Sequence, residues 1–73
     1  PALPGELPSG WVKGVRARGG FELDFSWENG VLTNVKVLSL AGQPLKMTYG
    51  KSQFEIETQK GQLIELDGNL KQL

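Results

Sequence analysis

Hydrophobic and polar residues alternate with a period near two from Trp11 onward. Apolar side chains occupy every second position from Phe21 to Trp27, and alternation resumes after the pair Asn29-Gly30. Such alternation is typical of half-buried strands, and no window carries apolar residues at helical spacing over three turns. We therefore predict an all-β fold, a small antiparallel meander that forms a β-sandwich or a half-open barrel.

The register of the first hairpin follows from the loop length that places apolar residues opposite one another. A three-residue loop at Glu28-Asn29-Gly30, with Gly30 in the left-handed region, does so, whereas a two-residue loop sets Leu23 against Lys36. We predict the three-residue turn. The resulting pairs are Trp27 with Val31, Phe25 with Thr33, Leu23 with Val35 and Phe21 with Val37.

The same reasoning predicts two further hairpins. Their pairs are Tyr49 with Phe54 and Met47 with Ile56 across a loop at 50–53, and Ile56 with Ile64 and Phe54 with Leu66 across a loop at 59–61. The last register also opposes Glu55 to Glu65, a like-charge pair that counts mildly against it.

The segment "VKVLSL" breaks the alternation, because Val35 and Val37 fall on one face and Leu38 and Leu40 on the other. A strand with apolar residues on both faces is either bulged or covered on both sides. We expect one of these two arrangements here.

The first ten residues, "PALPGELPSG", contain three prolines and two glycines. Proline holds the backbone extended and removes amide donors, so this composition predicts a linker. We assign residues 1–10 to a linker from a preceding domain and residues 11–73 to a single β-domain. The chain opens on proline, and we expect it to be a piece of a longer protein.

Charge and composition exclude several functions. Eight basic and eight acidic side chains cancel, which removes the long-range field used by proteins that bind nucleic acid or anionic membranes. The chain has no histidine and no cysteine, so a catalytic triad, a thiol nucleophile and a tetrahedral zinc site lack their usual parts. No apolar run is long enough to span a bilayer. We predict no metal, no cofactor, no nucleic acid and no membrane partner.

Two carboxylates in the stretch "FELDF" suggest sugar hydrolysis at first sight. Glu22 and Asp24 lie two apart on one strand face, ~7 Å between Cα atoms, a spacing similar to that of an acid and base pair. However, any half-exposed strand presents charged residues in this way, and the predicted register sets Glu22 opposite Lys36 and Asp24 opposite Asn34. We predict a solvated face and no catalytic residue.

Arg16 and Arg18 share a face of the preceding strand. They are either surface cations near the carboxylates of the next strand, or they bind a neighbouring domain or an anionic ligand through bidentate hydrogen bonds. Gly14 is expected to permit a bulge, and Gly19 and Gly20 a tight turn into the next strand.

The two tryptophans differ in their predicted positions. Trp27 falls on the inward face and is expected in the core. Trp11 lies at the edge of the linker and is the better candidate for exposure and for stacking on a sugar.

The stretches "PALP" at 1–4 and "LPSGWVKGVRARGGFELDFSWENGVL" at 7–32 resemble the C-terminal β-domain of family 95 glycoside hydrolases, the inverting α-L-fucosidases. The motif comprises the run from Arg16 to Phe21 followed by Asp24, Trp27 and Gly30. The stretch "SLAGQPLKMTYG" at 39–50 is similar to the next turn and strand of that family.

The resemblance implies a bacterial carbohydrate enzyme, periplasmic or secreted, with an N-terminal β-domain, a catalytic (α/α)6 barrel and this C-terminal domain. It implies that the catalytic groups belong to the barrel, so this chain is expected to be non-catalytic and to pack against it. The alternative is a carbohydrate-binding module for fucosylated glycans. The residues expected to contact the barrel or a ligand are Trp11, Arg16, Arg18, Gly19 and Gly20.

Overall fold

The computed structural model describes residues 8–73, which form six β-strands and no helix. The strands are β1 (Gly10–Ala17), β2 (Phe21–Glu28), β3 (Val31–Ser39), β4 (Leu45–Tyr49), β5 (Ser52–Ile56) and β6 (Leu63–Asp67). One antiparallel sheet has the order β1-β2-β3-β6, and β4 and β5 form a separate antiparallel hairpin. The predicted all-β antiparallel class is confirmed, and the strands described here do not close into a barrel.

The hydrophobic core lies between the four-stranded sheet and the β4–β5 hairpin. We call the sheet face toward this hairpin the inner face and the opposite one the outer face. The buried apolar residues of the core cluster are Phe21, Leu32, Val35, Val37, Leu45, Ile64, Leu66 and Leu70, and the hairpin adds Met47, Tyr49, Phe54 and Ile56. Two layers that each bury one apolar face are the minimal arrangement for a sheet protein of this size.

The first hairpin uses a two-residue turn, so the predicted three-residue loop is wrong. Asn29 and Gly30 both have positive φ, at 51° and 74°, as Asn-Gly does in the turn that best matches strand twist. Thr33 is the extra residue of a bulge in β3, because Trp27 pairs with Leu32. Beyond the bulge the apolar pairs are Phe25 with Val35 and Leu23 with Val37. The prediction used a third loop residue to bring the apolar side chains of β2 and β3 onto the same face. In the structure, the extra residue Thr33 of the bulge has this effect.

The second hairpin is also tighter than predicted. Its loop contains only Gly50 and Lys51, and Met47 pairs with Phe54 rather than with Ile56. A register shift of two residues leaves the same side chains on the apolar face. The hydrophobic pattern therefore could not distinguish the two registers.

The predicted pairing of β5 with β6 is wrong, because β6 pairs with β3. The buried pairs are Val37 with Ile64 and Val35 with Leu66. On the outer face, Lys36 stands opposite Glu65, which replaces the like-charge pair of the predicted register by an opposite-charge pair.

Strand β3 continues without a bulge through "VKVLSL". Leu38 lies half-buried on the outer face, and Ser39 takes the next inner position, where it is fully buried. Gly42 donates its N–H to Ser39 Oγ at 3.1 Å, and Ser39 Oγ lies 2.7 Å from Thr58 Oγ1. Thr58 in turn donates to the carbonyl of Gln43 at 2.5 Å. This network gives the buried Ser39 hydroxyl its hydrogen-bond partners. It also links the β3–β4 loop to the β5–β6 loop.

Tyr49 links the hairpin to the sheet beside the β3 bulge. Its hydroxyl accepts the N–H of Leu32 at 3.1 Å. We expect Tyr49→Phe to lower the free energy of unfolding by ~1–3 kcal/mol, because the partly buried amide of Leu32 loses its partner. Chemical denaturation would measure the loss. Thr48→Val, at an exposed position of the same strand, is the control and should stay within ~0.5 kcal/mol; equal stability of the two variants would contradict the prediction.

Candidate functional site

Strand β1 is the uncovered edge of the four-stranded sheet. At the other edge, the C-terminal residues run beside β6, where Leu73 donates its N–H to the carbonyl of Glu65 at 2.9 Å. No described strand pairs with the free side of β1. Val15 and Ala17 lie on its inner face, opposite Leu23 and Phe21, yet both are exposed. The hairpin thus leaves this part of the inner face open.

The predicted bulge at Gly14 is confirmed. Gly14 has φ 74°, and the pairing of β1 with β2 shifts between Val12 and Val15. The freed N–H of Gly14 donates to Asp24 Oδ1 at 2.9 Å. A bulge at an edge strand also discourages pairing with strands of other molecules. Asp24 is therefore engaged in holding the bend of the edge strand.

The polar residues of β2 and β3 do not form the predicted cross-strand pairs. Glu22 stands opposite Leu38, and Lys36 stands opposite Asp24. Glu22 is instead bound by Arg16, with Arg16 Nε 3.2 Å from Glu22 Oε1. The pair is largely exposed, so it contributes little to stability. These contacts support the interpretation of Glu22 and Asp24 as residues of a solvated face.

Gly19 and Gly20 form the tight turn between β1 and β2, as predicted. Both have positive φ, at 88° and 77°. A Cβ on Gly19 would lie 2.9 Å from the ring of Phe21, and one on Gly20 would lie 2.8 Å from Cβ of Ala41. Both glycines are thus required by conformation and by space.

Beside this turn, a groove of ≈ 520 Å³ separates the β1–β2 corner from strand β4. Its apolar walls include Phe21, Leu23 and Met47, and its cations are Arg18 and Lys46. Arg18 forms no ion pair with any residue from 8 to 73. The groove continues the uncovered inner face of β1.

Trp11 lies on the outer face near the start of β1, opposite Ser26. Its side chain is 68% exposed, and the Lys13 ammonium lies 5.5 Å from the ring centroid. Trp27, in contrast, is 2% exposed, as predicted for a core residue. A Cβ on Gly10 would lie 2.8 Å from the Trp27 ring, so the backbone of β1 packs directly on that ring.

The five predicted contact residues therefore occupy two separate regions. Arg18, Gly19 and Gly20 lie at the corner beside the apolar groove, whereas Trp11 lies near the other end of β1, roughly 20 Å away at ~3.3 Å per residue. Arg16 lies between them and points to the outer face. The sequence prediction missed the polar neighbours of Trp11 on β2 and β3, which only the correct register reveals.

Residues 8–10 of the predicted linker lie among the described residues. Strand β1 begins at Gly10, and Pro8 and Ser9 contact the β2–β3 turn through the amides of Gly30 at 2.8 Å and Asn29 at 3.4 Å. The rest of the predicted linker, residues 1–7, lies outside the described residues. The division into linker and domain stays a prediction.

Residues 8–73 contain no group of three acidic side chains that could hold a metal ion. The same part of the chain contains no helix with the length and hydropathy needed to cross a membrane.

Residues 8–73 thus form a small, open, all-β domain in which no described strand covers the free edge of β1. The profile described as "Glycoside hydrolase family 95, C-terminal domain" matches residues 1–71, and the chain belongs to that family. A similar protein is the "Probable alpha-fucosidase A" of Aspergillus oryzae, 38% identical over an alignment that covers 62% of this chain. The alignment spans only 8% of that relative's length. No solved structure matches the chain.

Proposed function

We propose that this chain is the non-catalytic C-terminal β-domain of an α-L-fucosidase-like glycoside hydrolase, and that it packs against and stabilises the catalytic barrel of the same protein. Membership of the family and similarity to a protein named as an alpha-fucosidase support the enzyme class. The alignment spans a small share of that relative, which leaves ample protein for the domain to pack on.

The uncovered inner face of β1 is the observation that carries the docking role. Val15 is 37% exposed on the face that the hairpin covers elsewhere, and the neighbouring groove is lined mainly by apolar residues. An exposed apolar surface that continues a domain core is typical of a protein interface. A barrel surface placed here covers both the groove and the free edge of β1.

The arginines at this corner indicate the chemistry of the barrel surface. Arg18 is exposed beside the groove, and Arg16 is held by Glu22 on the adjoining face. Guanidinium groups suit interfaces, because they bind carboxylates through two parallel hydrogen bonds and are weakly hydrated. We therefore place a carboxylate of the barrel against Arg18.

The double substitution of Arg16 and Arg18 by alanine, made in the complete enzyme, tests this role. We expect a loss of ~2–5 kcal/mol in the stability of the interdomain contact, since truncation leaves a carboxylate buried without its partner. Calorimetry should show a lower melting temperature for the C-terminal domain, while kcat on a small soluble fucoside changes less than twofold.

A matched control replaces Lys51 and Lys60 by alanine, which removes the same amount of positive charge. Both lysines are exposed and lie away from the β1–β2 corner, in the β4–β5 turn and the β5–β6 loop. The control should leave both the melting temperature and turnover unchanged. An arginine variant that lost turnover at unchanged melting temperature would refute the docking role and favour contact with substrate.

A further inference from the structure

A shallow polar groove of ≈ 170 Å³ lies on the outer face of the sheet beside the exposed tryptophan. Three neighbouring strands contribute to it, with Trp11 and Lys13 from β1, Asp24 and Ser26 from β2, and Asn34 and Lys36 from β3. Cross-strand pairing places Trp11 next to Ser26, Ser26 next to Asn34, and Asp24 next to Lys36. The groove therefore combines a flat aromatic wall with a floor of hydrogen-bonding side chains.

The aromatic wall is held in place while it remains accessible. Trp11 is 68% exposed, and the Lys13 ammonium lies over its ring. A cation over an exposed indole ring favours one ring orientation by weak electrostatic attraction to the ring face. An exposed indole that is already oriented loses little side-chain entropy when a ligand packs on it.

The polar floor is also held by the protein and keeps groups for a ligand. Asn34 donates its amide N–H to Glu65 Oε2 at 2.9 Å, which leaves its carbonyl oxygen as an acceptor. Asp24 uses Oδ1 for Gly14 N–H and keeps Oδ2. The Lys36 ammonium forms no ion pair with any residue from 8 to 73 and can donate. Donors and acceptors thus stand beside one ring within a single groove.

We propose that this groove binds a pyranose unit of a neutral, fucosylated glycan. A pyranose presents an apolar C–H face, which packs on an aromatic ring, and hydroxyls that both donate and accept hydrogen bonds. The opposite charges of Asp24 and Lys36 suit a neutral ligand. The Asp24 carboxylate would repel the phosphates of a nucleic acid. The identity of the glycan rests on the proposed function, whereas the groove itself rests on geometry.

The glycan groove and the docking surface lie on different faces of β1. Trp11 points to the outer face, while Val15, Ala17 and the apolar groove belong to the inner side. Docking on the barrel therefore leaves the glycan groove open.

The test measures retention of the complete parent enzyme on a matrix that carries a fucosyllactose. A saturating iminosugar analogue of fucose fills the catalytic site, so hydrolysis stops and the remaining retention reports other sites. We expect Trp11→Ala to weaken retention at least about tenfold, because stacking on one aromatic side chain contributes on that order. Lys36→Met, which keeps the aromatic wall, should weaken it less, and both variants should hydrolyse a small soluble fucoside at the wild-type rate.

Leu63→Ala is the matched control, because Leu63 is 64% exposed on the outer face of the same sheet but lies on β6, outside the groove. It should leave retention unchanged. Equal retention of the wild type and Trp11→Ala overturns the proposal, and so does an equal loss for Leu63→Ala. Failure of the wild-type enzyme to hydrolyse any fucoside would instead count against the proposed function, while Trp11-dependent retention would still support the groove.

Discussion

Replacing Trp27 with alanine is expected to remove most of the stability of this β-domain. The side chain is 2% exposed, its ring lies against the backbone at Gly10, and its centroid is 6.1 Å from that of Phe25. Truncating a buried tryptophan to alanine costs about 3–5 kcal/mol through lost burial and the cavity left behind. A domain of this length has a total stability of only ~4–11 kcal/mol, so this one substitution removes a large share of it and lowers the denaturation midpoint accordingly.

Trp11→Ala is the matched control, since it removes the same atoms from a side chain that is 68% exposed. We expect its free energy of unfolding to stay within ~0.5 kcal/mol of the wild type. Denaturant unfolding followed by far-UV circular dichroism compares the two variants without relying on either indole as the probe. Equal losses in both variants would contradict the assignment of Trp27 to the core and Trp11 to the surface.

The second large effect is expected for Gly68→Ala, at the end of β6. An added Cβ would collide with the carbonyl oxygen of Leu32 and would lie 3.3 Å from Thr33 Cα. Both contacts are backbone atoms at the β3 bulge, which cannot rotate away as a side chain can. We expect a loss of ~1–3 kcal/mol or more, because overpacking must displace one of the two strands.

Gly50→Ala separates this steric effect from backbone strain. Gly50 has φ 58° but open space around its Cβ position, so alanine there meets only the left-handed penalty of about 1–2 kcal/mol. Gly68 is not among the glycines with positive φ. Chemical denaturation should rank Gly68→Ala below Gly50→Ala in stability. The reverse order would show that the approach of β6 to the bulge is looser than described.

The strands could be predicted from the sequence because each of them buries one face. Strict alternation from Phe21 to Trp27 placed the first apolar face correctly, and Asn29-Gly30 marked the turn. The register could not be predicted, because the two-residue turn and the bulge at Thr33 together shift each later pair by two residues from the predicted register, which leaves the same side chains facing inward. A pattern of period two records the face of a residue but not its partner.

For the candidate site, too, the sequence predicted which side chains are exposed or buried, but not which of them are neighbours. The period placed Trp27 in the core, the position of Trp11 beside the linker indicated its exposure, and the glycines of the β1–β2 turn were recognised. The polar groove beside Trp11 was missed, because the predicted register placed Asn34 opposite Asp24 instead of Ser26. An error of two residues in pairing thus concealed which side chains are neighbours on the outer face.

The sequence by itself determined the all-β class, the approximate places where the chain turns and the sidedness of each strand, since these depend on residues close together in the chain. Its motif from Arg16 to Phe21 also pointed to the glycoside hydrolase family, which the match over residues 1–71 confirms. Only the tertiary structure decided that β6 pairs with β3 rather than with its neighbour β5. The apolar faces of β3 and β5 are equally suitable partners for β6. The choice depends on long-range terms, such as Lys36 opposite Glu65 and the close approach at Gly68, which no local pattern contains.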